Sequence, residues 1–87
     1  MPITSGQMTV GTTRVQVDGN STGWAHMHIK NLDNTDHLYV GGSDLTLANG
    51  YHVDKQEFIE FDVPPGEAIY LLASAGSIDV AWMRISA

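Results

Sequence analysis

The sequence predicts an all-β fold: a single small antiparallel β-sandwich, or a jelly-roll-like barrel, of about seven to eight strands. Three observations carry the expectation. Apolar residues recur with period two, the spacing that places alternate side chains on one face of a strand. Clusters of Gly, Pro, Asn, Asp and Ser interrupt that alternation at short intervals, as in sandwiches and barrels. The chain has 87 residues, a length that suits one domain.

Taken in order, 1–7 reads as an N-terminal arm and 8–87 as the sandwich domain. The first strand is expected over Met8 to Val17, with Val15 and Val17 inward and Arg14 and Gln16 outward, followed by a turn at Asp18-Gly19-Asn20-Ser21. From Trp24 to Asn31 the alternation is clear: Ala25, Met27 and Ile29 share one face, and Trp24, His26, His28 and Lys30 share the other. Asp33 to Asp36 is a polar loop. A short strand, His37 to Val40, ends at Gly41-Gly42-Ser43-Asp44. Leu45 to Leu47 reads as a brief strand before Asn49-Gly50, a pair that supplies the positive φ angles of a type I′ hairpin. Glu57 to Val63 sets Ile59, Phe61 and Val63 against Phe58, Glu60 and Asp62. Pro64-Pro65-Gly66-Glu67 reads as a type II turn, with Pro65 fixing φ near −65° and Gly66 accepting φ > 0. Ala68 to Ser74 is apolar on both faces, the signature of a doubly covered strand. Ala75-Gly76-Ser77 turns the chain into a last strand, Ile78 to Ile85.

Composition narrows the function classes. Four Lys+Arg against ten Asp+Glu give a net charge of −6. Phosphate backbones are bound by clustered cations, and Arg14, Lys30, Lys55 and Arg84 are scattered, so neither nucleic acid nor an anionic membrane is an expected partner. No basic region followed by an apolar run marks the N-terminus, and no stretch approaches the ~20 apolar residues of a membrane span. A reducing cytoplasm is the simplest site of synthesis. The chain has no cysteine, which excludes disulfide staples and thiolate metal sites. A domain this small buries a smaller share of its surface than a large one, and assembly with other subunits is the remaining common means of support.

Constellations that carry chemistry are sparse. His26 and His28 stand at i and i+2 on one strand face, where two imidazoles can share a metal, with His37, His52 or a carboxylate as a third ligand. The run Gly19…His26-x-His28…Asp33 departs from the cupin metal motif in its glycine spacing and in having Asp for Glu, and we expect solvated histidines on a polar face instead. Ser43 and Ser77 lie in turns and lack a nucleophile elbow. Glu57, Glu60 and Asp62 read as a solvated acidic stripe, and Gly41-Gly42-Ser43 lacks the lysine and helix of a phosphate loop. We therefore expect no catalytic residue, no cofactor and no metal. Trp24, Tyr39, Tyr51, Phe58 and Trp82 offer a stacking platform for a glycan, with Asp33, Asp44 and Asn49 as hydrogen-bonding groups. The more informative feature is apolar residues on faces that alternation assigns outward: Phe58 beside Glu60 and Asp62, where an interface is expected, and Tyr70 and Leu72 opposite Ile69, Leu71 and Ala73, where an interface and a strand packed on both faces through twist or a bulge stand equally open. Apolar patches ringed by charge indicate protein interfaces.

The run Leu38-Tyr39-Val40-Gly41-Gly42-Ser43-Asp44-Leu45-Thr46-Leu47-Ala48-Asn49-Gly50-Tyr51, together with Glu57 to Phe61, Ala68 to Ala73 and Ile78-Asp79-Val80, resembles small β-sandwich virion proteins of tailed bacteriophages. The resemblance spans about Trp24 to Ile85. The Val63-Pro64-Pro65-Gly66-Glu67 turn falls later than in those chains. The resemblance implies a structural virion protein, and the short chain favours a capsid decoration (cement) protein on the outer shell. It would bind the major capsid protein and its own copies, as a trimer, after assembly in the host bacterial cytoplasm. A tail or head–tail connector component, or a carbohydrate-binding module, is the alternative. Interface contacts are expected from Pro2, Ile3 and Thr4 of the arm, from Gly41, Gly42, Ser43, Asp44, Asn49 and Tyr51, and from Phe58.

Overall fold

A computed structural model describes residues 3–17 and 23–86. Eight strands form within them: β1 (Ile3–Val10), β2 (Val15–Val17), β3 (Ala25–Asn31), β4 (Leu38–Gly41), β5 (Tyr51–Val53), β6 (Phe58–Val63), β7 (Ile69–Ala73) and β8 (Ile78–Ser86). They build two four-stranded sheets of order β1-β8-β3-β6 and β2-β7-β4-β5, with every pair antiparallel. The pairs β1–β8, β2–β7, β3–β6 and β4–β5 make the chain one long hairpin, wound so that β3–β8 and β4–β7 join its turns into sheets. This is the connectivity of a double-sheet jelly roll.

The barrel form of the expectation is corrected. Closure needs hydrogen bonds joining the two sheets edge to edge, and the described residues make none. Between β5 and β6 lies instead a groove of about 270 Å³, lined by Tyr51, Val53, Asp54, Glu57 and Phe58 among others. The sandwich is held by its filling. Val10, Ile78, Val80, Met27, Ile29 and Val63 from one sheet meet Val17, Leu71, Ala73, Leu38, Val40 and Val53 from the other. All are buried, and removing apolar surface of this kind from water is the main stabilising term in folding.

The expected strands from Trp24, Glu57, Ala68 and Ile78 are present within a residue or so of their predicted ends. The expected strand Met8 to Val17 is two. It starts earlier, at Ile3, and the chain leaves one sheet after Val10 and enters the other at Val15. The inward set shifts from even positions (Met8, Val10) to odd ones (Val15, Val17) across the exposed Thr12, Thr13 and Arg14, a change of phase that breaks the strand but does not say that its second half joins the other sheet. The predicted turn at Asp18 to Ser21 lies outside the described residues.

Two turn predictions have opposite outcomes. At Pro64 to Glu67, Gly66 has φ 79° and the Glu67 amide donates to the Pro64 carbonyl at 3.3 Å, as a type II turn requires. The Asn49-Gly50 hairpin and the Leu45–Leu47 strand do not form. Neither Asn49 nor Gly50 has positive φ, and the Asn49 and Gly50 amides both donate to the Thr46 carbonyl, at 3.3 and 3.0 Å, closing a helical turn. The cause is Leu45, a loop residue that is nonetheless buried. A Cβ on Gly50 would stand 2.8 Å from Leu45 Cδ1 and 2.7 Å from Tyr39 Cβ, and one on Gly41 would stand 2.9 Å from Leu45 Cδ1. The glycines are thus places where the backbone closes over a buried side chain. Tyr51–Val53, which the sequence reading does not assign to a strand, then pairs with β4 as a short edge.

Candidate functional site

The register lays out the outer face of the β1-β8-β3-β6 sheet row by row. Ile3, Ile85, His26 and Asp62 form one row, Ser5, Met83, His28 and Glu60 the next, and Gln7, Ala81, Lys30 and Phe58 the third. An apolar strip (Ile3, Ile85, Met83) thus runs beside a histidine–carboxylate strip. The His26 ring approaches Asp62 Oδ1 at 2.9 Å through Nδ1 and Glu60 Oε2 at 3.6 Å through Nε2, and His28 Nδ1 lies 3.6 Å from the same Glu60 oxygen. The hydrogen bond to Asp62, helped by Glu60, raises the His26 pKa above its ordinary 6.5 against a smaller opposing effect of desolvation. Phe58 stacks on the His28 ring, with centroids 4.8 Å apart and planes at 19°, yet stays 56% exposed. His26 and His28 share a face as the sequence implies, but each answers to a carboxylate of β6, and neither His37 nor His52 joins them.

Those two histidines meet on the other sheet. Tyr39 of β4 pairs across with His52 of β5, and His37 and Asp54, two residues along each chain, lie on the same side. His52 Nε2 is 2.6 Å from His37 Nδ1. Asp54 Oδ1 lies 3.8 Å from His37 Nε2 and 3.6 Å from His52 Nδ1. Tyr39 stacks on the His52 ring at 5.3 Å. Spacing along one strand drew attention to His26 and His28. The true cluster comes from opposite strands, 15 residues apart, and no local pattern marks it. The signal that could have found it is the pairing of His37-x-Tyr39 with His52-x-Asp54 across a hairpin.

The other expected site residues are dispersed. Ile3 and Thr4 lie on β1, at a free sheet edge, and Pro2 lies outside the described residues. Gly41 and Asn49 serve their own loop: the Asn49 side chain accepts from the Thr46 amide at 2.7 Å and donates to the Asp44 carbonyl at 3.1 Å. Gly42, Ser43 and Asp44 are exposed around it, and Tyr51 is 65% exposed at the mouth of the β5–β6 groove. The aromatics do not make one platform. Trp82 points into the core side of its sheet, Tyr39 belongs to the histidine cluster, and Phe58 lies on the opposite sheet. Tyr70 is half-buried under the Arg14 guanidinium, which sits 5.5 Å from its ring centroid, and Leu72 is buried, so of the two alternatives for these residues the strand covered on both faces is the one observed, not an open patch. Among the described residues no nucleophile–base pair or enclosed aromatic pocket of an enzyme is evident.

No protein-family model matches the sequence, and no curated protein matches it. Among the solved structures that share the fold over nearly the whole chain are two. One is a protein of Bacillus endospore appendages, which form disulfide-linked pili: TM-score 0.60, 17% identity, covering 98% of this chain and 85% of that one. The other is a protein from Neisseria meningitidis: TM-score 0.56, 10% identity, covering 97% and 74%. Neither is a phage component. They overturn the resemblance to tailed-phage virion proteins and what was drawn from it: the decoration, tail or connector role, the major capsid protein as partner, the trimer on a shell and the virion location. The physical reason is that alternating strands, a Gly-Gly-Ser-Asp loop and a Pro-Gly turn are what any small jelly roll needs, and say nothing of where it is installed.

Proposed function

We propose that this chain is a structural subunit of a bacterial surface appendage, joined copy to copy through the free edge of β1. The fold likeness to a protein of pilus-forming endospore appendages supports the setting, and the nature of the four sheet edges supports the contact. β2 and β5 are three residues long, too short to template much pairing. β6 carries Glu60 and Asp62, charges of the sort that guard an edge. β1 is eight residues long, ITSGQMTV, with neither charge nor proline. An edge like that is a ready template for strand addition; β1 on β1 is an isologous contact that closes at two copies, so extension into a filament takes a second, heterologous contact. Ile3 and Thr4 belong to this edge, while Phe58, Tyr51 and the Gly42–Asp44 loop remain for side contacts. With no cysteine in the chain, cohesion differs in kind from that of disulfide-linked pili.

Sedimentation velocity and negative-stain microscopy across a concentration series test the reading. The protein is expected to form extended oligomers. Ser5→Lys combined with Gln7→Lys, both exposed on the edge strand, is expected to return it to monomer with an unchanged β-type circular dichroism spectrum. A wild-type chain that stays monomeric up to millimolar concentration, or oligomers indifferent to this pair of lysines, would remove the proposal.

A further inference from the structure

We infer that His37, His52 and Asp54 form a mononuclear site for a divalent transition-metal ion of the zinc type, which pins the edge strand β5 to β4. The donor set comes first. Two imidazoles and one carboxylate suit zinc and its neighbours, and three protein ligands with one open position is a common arrangement. The described residues contain one such cluster, with a donor atom of each residue within 4.8 Å of those of the others. Geometry comes second. Ligands at ~2.0–2.1 Å around a tetrahedral ion stand about 3.3 Å from one another. His52 Nε2 and His37 Nδ1 already face each other at 2.6 Å, and opening that pair by about 0.7 Å gives the tetrahedral spacing; Asp54 Oδ1 lies 3.6 and 3.8 Å from the far nitrogens of the same two rings and turns in as the third ligand.

The backbone under each ligand is already fixed. The His37 amide donates to Ser74 Oγ at 3.1 Å, and the Ser74 amide donates back to the His37 carbonyl at 3.0 Å. The Asp54 carbonyl accepts from Glu57 N at 3.1 Å and from the buried Asn31 Nδ2 at 3.3 Å. His52 is held by the β4 pairing and by the Tyr39 ring. Ligands locked by such surroundings lose little freedom on binding. The side chains are 43–62% exposed, which gives an ion an entry path. The site also answers a need of the fold. A domain of this size gains from a staple, this chain has no cysteine to form one, and β5 is a three-residue edge strand beside an open groove. Histidines placed across that pairing are where a metal staple acts.

The test is isothermal titration of chelator-stripped protein with Zn²⁺ and with Co²⁺, alongside thermal unfolding. We expect one ion per chain at micromolar affinity or tighter and visible Co²⁺ bands of four- or five-coordinate type. The midpoint of unfolding should rise by about 10–20 °C at a hundredfold excess of free ion over Kd. His37→Ala and His52→Ala are expected to weaken binding at least 100-fold, and Asp54→Asn 10- to 100-fold, with circular dichroism unchanged because all three are surface positions. His26→Ala combined with His28→Ala leaves binding intact. Sub-stoichiometric binding, or binding that survives His52→Ala and disappears with the His26/His28 pair, overturns the assignment. So does binding that leaves the unfolding midpoint in place, because a pinned edge strand must raise it.

Discussion

Asn31 shows how much one side chain can decide. It is the buried polar residue among those described, fully inaccessible at the end of β3. Its Nδ2 donates to the Asp36 carbonyl at 2.9 Å and reaches those of Asp54 and Val53 at 3.3 and 3.5 Å, while its Oδ1 accepts from the Asp33 amide at 2.9 Å. One amide thereby ties the loop after β3 to β5 and to the floor of the histidine cluster. Replacing it with leucine leaves these groups unmatched at about 1–3 kcal/mol each when buried. Asn31→Leu should lower stability by roughly 2–4 kcal/mol, read as a reduced urea midpoint at constant m-value. Two ionisable side chains supply pH dependence of opposite sign. His26 has a raised pKa in the folded state, so its contribution is complete below pH 6.5 and fades as pH climbs through the raised value. Thermal midpoints should therefore fall from about pH 6.5 upward in the wild type and fall less in Asp62→Asn. Asp33 behaves conversely. Hydrogen bonds from the Asp36 and Thr35 amides and the Thr35 hydroxyl hold its carboxyl below 3.8, so its share is present above pH 3.8 and is lost in stronger acid.

At the scale of elements, the turns and edges carry the instructive outcomes. The Pro65-Gly66 turn was readable because a type II turn makes a chemical demand, φ > 0 at its third residue, that glycine meets. Gly66→Ala should cost about 1–2 kcal/mol, the left-handed penalty for an L-residue, even though nothing crowds the position. A comparison of chemical denaturation curves would show it. Asn49-Gly50 makes the same local offer and is refused, because Leu45 must enter the interior and drags the loop into a helical turn. Leu45→Ala should cost 2–5 kcal/mol, as for other buried leucines, and should loosen β5, giving faster amide exchange at Tyr51 to Val53. Histidine spacing misled for a related reason. Two histidines on one strand are visible to the eye, but a strand face is completed by its neighbours, and β6 supplies carboxylates to one pair whereas the β4–β5 register assembles the other.

For the molecule as a whole, charge and edges act together. A net charge of −6 makes copies repel at long range, and salt screens that repulsion beyond about 10 Å at 0.1 M. If β1 edges join copies by main-chain hydrogen bonds, assembly should strengthen as sodium chloride rises from about 0.02 to 0.3 M, since backbone pairing is short-ranged and little screened. Light scattering at fixed protein concentration would follow it, and a decline with salt would mean that ion pairs carry the contact instead.

Residue order alone determined that this chain is all-β, where most strands run, which side of each is apolar, and one turn in atomic detail. Those are consequences of short-range stereochemistry and period-two burial, both written in neighbouring residues. Tertiary structure decided which sheet each strand joins, that the first predicted strand turns a corner at Gly11 to Arg14, that the sheets stay open, and which histidines meet. These depend on contacts between residues distant in sequence, and loop closure brings such partners together without leaving a mark on either one.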